Sequence, residues 1–200
     1  MSTKPEMNEI DNEAIFTFTN TKNEVVNAIR RVVIDDVKTF AIEDVEVIKN
    51  ETPLYDETLA HRLGLIPLTT NTKDYNRRDE CKCGGVGCAL CEVTFNLETD
   101  EDGYVYSSEL KSDDPQVTPV DKNIPITKIF GKKGVQIKAK AILGTGREHA
   151  KWAPAHAYLK ENGSSLDLVL ELHKQLSAKE TFNSAIDILV SKVEELEGEL

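Results

Sequence analysis

The sequence lacks any long apolar run. No stretch approaches the roughly eighteen consecutive apolar residues that a membrane-spanning helix requires. The opening residues, MSTKPEMNEI, contain no apolar segment of the kind found in a secretory signal peptide. These two absences predict a cytoplasmic chain with no membrane partner.

Positive charge is also scarce. The chain has 24 lysines and arginines against 35 aspartates and glutamates, a formal net charge of −11 at pH 7. A broad phosphate-binding surface needs clustered basic residues, so we expect little or no direct contact with nucleic acid. Hydrophobic residues make up 40% of the chain, which is typical of a folded protein and not of a disordered one.

The sequence has no recognisable catalytic constellation. His61 and Arg62 lie in DETLAHRLGLIPL, where two leucines four residues apart predict a short helix. Asp56 is expected to cap this helix and Gly64 to end it with positive φ. His61 and Arg62 then point away from the leucines, and no serine, cysteine or carboxylate stands beside them in a triad. We interpret them as groups on a surface that another protein contacts.

A second basic stretch, GTGREHAKW, covers residues 144–152. It contains a Gly-x-Gly sequence but lacks the third glycine and the following helix of a dinucleotide site. A loop is therefore expected, with a nucleotide pocket as the less favoured alternative. Lys151 and Trp152, with their basic neighbours, have the composition that is favoured at protein interfaces.

All four cysteines fall within one glycine-rich loop, CKCGGVGCALC, with the spacing C-x-C-x4-C-x2-C. They are Cys81, Cys83, Cys88 and Cys91. Four thiolates satisfy the tetrahedral coordination of Zn²⁺, and the glycines let the backbone turn tightly around an ion. Four protein ligands leave no position for a catalytic water, so a structural zinc site is predicted. An iron–sulfur cluster also takes four thiolates and is the alternative, although its usual ligand spacing differs.

The two ends of the chain share a strand-and-helix design. Near the start, Ala14, Phe16 and Phe18 alternate with more polar residues, which predicts a strand. The following segment, TKNEVVNAIRRVVIDDV, has a broad apolar helical face, and Thr21 and Glu24 have the spacing of a capping box.

The last segment carries the clearest helical pattern. SLDLVLEL places four leucines on one face of a strand, and Ser177 and Glu180 repeat the capping-box spacing. Apolar residues then recur at steps of three and four, as in a coiled coil: Phe182, Ile186, Leu189, Val193, Leu196 and Leu200. So small a unit cannot bury all of this surface alone, so we expect a partner helix pair to cover part of it.

The predicted fold class is α+β. Residues 1–45 and 160–200 are expected to form a dimerisation domain of a sheet plus two helices. Residues 46–159 are expected to form an inserted, mainly-β domain that carries the metal knuckle, because this region contains the cysteines, proline-punctuated connections and the alternating segment VQIKAKAIL.

Several stretches together resemble the D-type subunits of the archaeal RNA polymerases, which are relatives of the amino-terminal domain of the bacterial alpha subunit and of the third-largest subunit of eukaryotic RNA polymerase II. The matching segments are NAIRRVVIDDVKTFAIEDVEV from Asn27, NETPLYDETLAHRLGLIPL from Asn50, EHAKWAP from Glu148, and FNSAIDILVSKVEEL from Phe182. They cover most of the chain in the order found in the family.

The resemblance implies a component that is part of the polymerase without being catalytic itself. Family members pair through their terminal helices with a small subunit, L, and the heterodimer nucleates assembly of the two large subunits alongside other small assembly subunits. It also implies zinc at the four cysteines and docking of a large subunit by Arg30, Arg31, His61 and Arg62, together with the interface patch at Lys151 and Trp152. Some archaeal relatives carry a further ferredoxin-like domain, which is not expected here because the sequence has no second set of cysteines.

A function of another class remains open from the sequence alone. A free-standing iron–sulfur protein that carries electrons or senses redox state would also need four thiolates. It would be a coloured monomer, whereas an assembly subunit would be colourless and would depend on a partner.

Overall fold

A computed structural model describes residues 5–131 and 133–199 of the chain. These residues form two compact units. The first comprises the described residues up to Lys38 together with those from Thr145 onward, and the second runs from Thr39 to Gly144. The expected α+β class is confirmed, and the sheets are antiparallel.

Within the described ranges the chain forms ten strands, three α-helices and two short 3-10 helices. The strands are β1 (Glu6–Ile10), β2 (Glu13–Thr19), β3 (Lys38–Asn50), β4 (Glu92–Thr99), β5 (Gly103–Tyr106), β6 (Lys111–Ser112), β7 (Pro125–Ile129), β8 (Val135–Thr145), β9 (Ala155–Asn162) and β10 (Ser165–Leu172). The α-helices are α1 (Asn23–Asp35), α2 (Asp56–Gly64) and α3 (Ala178–Glu199), and the 3-10 helices are Ser107–Glu109 and Ala150–Trp152. No helix among these is long and apolar enough to cross a membrane.

A four-stranded antiparallel sheet forms the core of the first unit, in the order β1-β2-β10-β9. The predicted strand near the start of the chain is confirmed, since β2 buries Ala14, Phe16 and Phe18 on one face. The four leucines of SLDLVLEL in β10 are also buried, and Leu168 pairs with Phe16. This apolar face packs with α1 and α3 into one hydrophobic core.

Helix α1 buries most of the apolar face expected of it, through Val26, Ile29, Val32 and Val33, but Val25 of the expected face is 46% exposed. The predicted capping box at its start is wrong. Lys22 occupies the N-cap position and no side chain caps the helix. Thr21 therefore lies one residue too early for its hydroxyl to meet the amide that a box requires.

The corresponding prediction for α3 is confirmed. The Ser177 amide donates to the Glu180 carboxylate at 3.1 Å, and the Glu180 amide donates to the Ser177 hydroxyl at 3.3 Å. One turn later, the ring of Phe182 stacks on that of Phe16, with centroids 4.3 Å apart and planes 12° apart. The first part of α3 is therefore fixed to its own sheet.

Asp36 ties the middle of α3 to the end of α1. Its carboxylate accepts a hydrogen bond from Arg147 Nη2 at 2.9 Å and one from Lys192 Nζ at 2.6 Å. Partial burial by itself would raise the pKa of Asp36, but the bonds from these two cations lower it below its ordinary value. Asp36 is therefore ionised at neutral pH and holds Lys192 of α3 in place.

The stretch GTGREHAKW begins with the last two residues of β8 and continues as a loop and the 3-10 helix Ala150–Trp152, so the expected loop covers only part of it. Its Gly146 passes so close to α1 that a Cβ there would collide with the backbone carbonyl of Ile34. The next residue, Arg147, donates its amide to the carbonyl of Asp35 at 2.9 Å. Only glycine allows this approach of two backbones.

We predict that Gly146→Ala lowers the free energy of unfolding by about 2–4 kcal/mol, because backbone atoms cannot move aside as a flexible side chain can. Urea unfolding followed by circular dichroism measures the change. Gly198→Ala is the matched control, since a Cβ at Gly198 meets nothing within 4 Å. That control should be neutral or stabilising in a helix, and equal stability of the two variants would contradict the prediction.

The second unit is built on a four-stranded sheet in the order β3-β8-β4-β6 and a two-stranded sheet of β5 and β7. The alternation predicted for VQIKAKAIL is confirmed, because β8 buries Val135, Ile137, Ala139 and Ala141. These residues join one hydrophobic core with Phe40, Phe95 and the two leucines of α2, Leu59 and Leu63.

The predicted ends of α2 are wrong. Tyr55, not Asp56, is the N-cap residue, and the Asp56 carboxylate instead accepts a hydrogen bond from Asn50 Nδ2 at 2.7 Å. Gly64 is the last helical residue, and Leu65 follows as the C-cap with φ −89°. No residue of positive φ is needed there because the amide of Leu65 bonds back to carbonyls of the last turn.

The division between the two units differs from the boundaries expected at residues 46 and 159. The second unit already begins at Thr39 and ends at Gly144. Strand β9 pairs with β10 along its whole length and so belongs to the first unit. The composition of the chain changes in the loops, whereas strand pairing decides which unit a segment joins.

Strand β1 has no apolar pattern that predicts it, since all five of its side chains are exposed. It is paired with β2 through a tight turn in which Asp11 has φ +54°. An Asp-Asn pair between two strands is a turn signal, so this hairpin was recognisable from its turn and not from its strand.

Candidate metal centre and contact residues

The four cysteines of the loop at residues 81–91, here called the cysteine loop, converge on one point. Their Sγ atoms all lie within 4.8 Å of one another. The measured pairs are Cys81 with Cys88 at 3.6 Å, Cys83 with Cys91 at 3.7 Å, and Cys88 with Cys91 at 3.8 Å. Metal–sulfur bonds of about 2.3 Å in a tetrahedron require sulfur–sulfur distances of about 3.8 Å. These residues could therefore hold a single metal ion.

The backbone of the cysteine loop makes this convergence possible. Gly84, Gly85 and Gly87 all have positive φ, which confirms the role expected of the glycines. The amide of Gly84 donates to the carbonyl of Cys81 at 3.0 Å, and that of Cys91 donates to the carbonyl of Cys88 at 3.0 Å. Two tight turns thus bring the cysteines at both ends of the loop together.

The environments of the thiols differ within this small site. A backbone hydrogen bond from Gly87 lowers the pKa of Cys83 to about 6. Burial raises the pKa of Cys91 to about 12. A buried thiol is costly to ionise alone, but a bound cation stabilises its thiolate form. The four thiols therefore suit a metal cation, whose positive charge would stabilise their thiolate forms.

A network of charged side chains holds the cysteine loop from one side. Glu92, directly after the last cysteine, accepts hydrogen bonds from Lys140 Nζ at 2.9 Å and Arg78 Nη2 at 3.2 Å. Arg78 also reaches Asp44 at 2.8 Å. A Cβ at Gly87 would collide with the Glu92 carboxylate. Sequence patterns did not predict these four charged residues, because only Glu92 stands next to a cysteine.

We predict that Gly87→Ala weakens metal binding by about 10–100-fold, as expected for loss of the groups that orient the ligands. Competition with a coloured chelator measures the affinity, and elemental analysis measures zinc and iron per chain. Gly85→Ala is the control, because its φ of +82° is nearer to the +100° of Gly87 and its Cβ would make only an ordinary contact, 3.8 Å from the carbonyl of Arg78. If both variants bind metal equally well, the contact with Glu92 does not support the site.

The residues expected to dock a large subunit lie in both units. On α1, Arg31 is exposed, and Arg30 is half-buried with its Nε donating to Asn27 at 2.9 Å. On α2, His61 and Arg62 are exposed, opposite the buried leucines. Arg62 donates to the backbone carbonyl of Pro125.

Trp152 does not form the surface expected of it. Its side chain is buried, with 5% of its surface exposed. The ammonium of Lys151 lies 4.4 Å from the centre of the indole ring. The indole therefore lies inside the first unit and positions the ammonium of Lys151. Trp152 itself offers little surface for a large subunit to contact.

The apolar stripe of α3 divides into two parts. Phe182, predicted to contact a partner, is buried by its own sheet, and Ile186 and Leu189 are half-buried against the same core. Further along, the exposed stripe consists of Val190, Val193 and Leu196, with exposed fractions of 49%, 48% and 58%. Leu200, the last residue of the predicted pattern, lies outside the described residues.

Comparison with known proteins identifies the family. The profile described as "RNA polymerase Rpb3/RpoA insert domain" matches residues 45–158, more than half of the chain. The chain therefore belongs to the Rpb3/RpoA family of RNA polymerase subunits.

Individual relatives agree with this assignment. The chain is 44% identical over 153 residues to the DNA-directed RNA polymerase subunit Rpo3 of Methanosphaera stadtmanae, covering 74% of this chain and 56% of the relative. It is 44% identical over 145 residues to the protein of the same name from Methanosarcina acetivorans, covering 71% and 54%. For that of Archaeoglobus fulgidus the identity is 37% over 148 residues, covering 74% and 56%. The chain spans about half the length of these curated relatives.

Proposed function

We propose that the chain is a non-catalytic assembly platform of an archaeal DNA-directed RNA polymerase in the cytoplasm. In this proposal α3 pairs with the small subunit L, and the heterodimer then recruits the two large catalytic subunits and the other small subunits. The observation that carries the proposal is the exposed stripe of Val190, Val193 and Leu196, which continues the apolar face of α3 beyond its own core.

The lengths of the elements explain why this stripe needs another chain. Helix α3 has 22 residues and is therefore about 33 Å long. Strands β2 and β10 have 7 and 8 residues and span about 23–27 Å. Helix α3 is thus longer than the strands of the sheet it packs on, and its side chains are exposed from Val190 to Glu199. Covering a large aliphatic side chain fully contributes about 1.5–3 kcal/mol, so a partner helix that covers this stripe would bind favourably.

The charges beside the stripe indicate the character of the partner. Four glutamates follow Lys192 on α3: Glu194, Glu195, Glu197 and Glu199. A second acidic helix would be repelled by them, so the partner should present apolar residues flanked by neutral or basic ones.

We predict that Val193→Asp with Leu196→Asp abolishes pairing with subunit L, because a partner would have to bury two unpaired carboxylates. Co-expression followed by size exclusion measures the pairing. Both side chains are about half exposed or more, so the variant chain should still fold. The control, Ser191→Asp with Gly198→Asp, adds the same charge away from the stripe and should leave pairing intact. Co-elution of the stripe variant with L would count against the proposal.

The arginines on α1 are proposed to act in the next step. A guanidinium can hold a carboxylate with two parallel hydrogen bonds across an interface, and Arg31 is exposed for such a contact. His61 and Arg62 are proposed to add to the docking of a large subunit, with Lys151 on the first unit.

We predict that Arg30→Ala with Arg31→Ala leaves the pair with L intact but weakens recruitment of the large subunits by about tenfold or more, as for loss of interface arginines. Pull-down of the large subunits by the preformed pair measures this. Lys160→Ala with Lys179→Ala removes the same charge from exposed positions of the same unit and should have little effect. Equal loss of both binding steps in the arginine variant would refute the assignment.

The cysteine loop is proposed to bind zinc in a structural role. The sulfur spacing supports one ion, whereas a cluster of several irons carries its thiolates on separate atoms and needs them further apart. A bound zinc ion would cross-link the two ends of the loop, and Glu92, Arg78 and Lys140 would hold its backbone. The elemental analysis described above discriminates the two, since iron with visible absorption would support the redox or sensor alternative.

A further inference from the structure

The second unit contains an apolar groove away from the cysteine loop, with Arg62 of α2 among its lining residues. It has a volume of about 310 Å³ and includes Pro53, Tyr104 and Phe130 in its lining. The rings of Tyr104 and Phe130 are 58% and 54% exposed. Pockets that take ligands begin at about 300 Å³, so the groove is large enough for one or two side chains of a partner. We call it the Tyr104–Phe130 groove.

Two of the residues along this apolar groove are basic. Arg62 and Lys128 line it, and none of the described lining residues is acidic, although the chain as a whole carries −11. The Lys128 ammonium lies 4.9 Å from the centre of the Tyr104 ring and 4.8 Å from that of Phe130. Arg62 is held by the carbonyl of Pro125. Both cations are thus positioned by neutral groups that leave their positive charge uncompensated.

A buried hydroxyl adds an independent observation. Thr127 also lines the groove, is only 5% exposed, and its Oγ1 has no hydrogen-bond partner. Burial of a hydroxyl without a partner is unfavourable. A ligand donor or acceptor that reached this hydroxyl would relieve the cost.

We propose that the Tyr104–Phe130 groove binds an extended peptide segment of another protein, with an aromatic or large aliphatic side chain next to acidic residues. The apolar side chain lies between Pro53 and the two rings, and the carboxylates pair with Lys128 and Arg62. This binding site is additional to pairing through α3. Arg62 is common to it and to the docking surface proposed above, but the test below uses no polymerase subunit.

A nucleic-acid strand is the less suitable occupant, although exposed rings and cations also occur in single-strand sites. Such sites follow the phosphate backbone with a continuous basic groove. Here the groove has two cations, and the adjoining pocket, which shares Pro53 and Leu54, is lined by Asp56 and Glu57. These carboxylates would repel a phosphate backbone that continues beyond the groove, and they restrict the acidic residues of a bound peptide to the neighbourhood of Lys128 and Arg62.

Fluorescence anisotropy with the whole chain tests the proposal. The probe is a labelled peptide in which phenylalanine is flanked by glutamate and aspartate, compared with one in which glutamine and asparagine replace the acids. The acidic peptide should bind more tightly. Lys128→Glu and Phe130→Ala should each weaken it about tenfold or more, as for loss of a central contact. The control Lys122→Glu makes the same charge change at an exposed position outside the groove lining and should bind like the unaltered chain.

Thr127→Val separates a binding role from a structural one. It removes the unpartnered hydroxyl, so the melting temperature should not fall, while the acidic peptide binds more weakly. Equal binding of both peptides, unchanged affinity in Lys128→Glu and Phe130→Ala, or tighter binding of a labelled single-stranded oligonucleotide would overturn the proposal. Unchanged affinity in Thr127→Val would overturn the assignment of its hydroxyl to the site. Because the test uses no polymerase subunit, a chain that pairs with L but ignores the peptide rejects only this inference.

Discussion

The stacking of Phe182 on Phe16 fixes where α3 begins to pack, and the rest of the first unit's surface depends on it. The contact holds the start of the helix on β2, and the bond from Lys192 to Asp36 holds its middle beside the end of α1. With these two points set, the helix has no freedom to slide and hide its later residues. The exposed stripe is therefore a consequence of how the helix is anchored.

Sequence patterns predicted the strands in which apolar residues are needed only because one face is buried. The alternation of Ala14, Phe16 and Phe18 and that of β8 are confirmed because one face of each strand packs on a core. The heptad pattern of α3 could not show where self-packing stops, since Phe182 and Leu196 fit it equally well. That limit depends on the length of the sheet, which the helix sequence does not contain. The compact units likewise differ from the expected ranges, because β9 joins the first unit through its pairing with β10.

At the candidate metal site, too, contacts between residues near in the sequence could be predicted and contacts between distant residues could not. Ligand spacing and glycines are local, so the convergence of the four cysteines could be predicted from eleven consecutive residues. The support from Arg78, Glu92 and Lys140 joins residues far apart in the sequence and needed the pairing of β4 with β8. Helix caps divide similarly. Ser177 and Glu180, three residues apart, form reciprocal hydrogen bonds at the start of α3. Asp56 instead accepts a hydrogen bond from Asn50 of the preceding strand and does not cap α2.

The partners of the basic side chains differ between the parts of the protein, and this difference bears on function. In an acidic chain, cations that meet carboxylates are neutralised: Arg78 and Lys140 share Glu92, and Arg147 and Lys192 share Asp36. These ion pairs stabilise the fold, and their cations exert little electrostatic attraction on a partner. Arg62 and Lys128 are instead held by a carbonyl and by aromatic rings, which fix a cation without cancelling its charge. A fixed, uncompensated cation attracts an acidic group without the entropy cost of ordering a free side chain. The neutral partners of these two residues therefore argue that they are arranged for contact with another molecule.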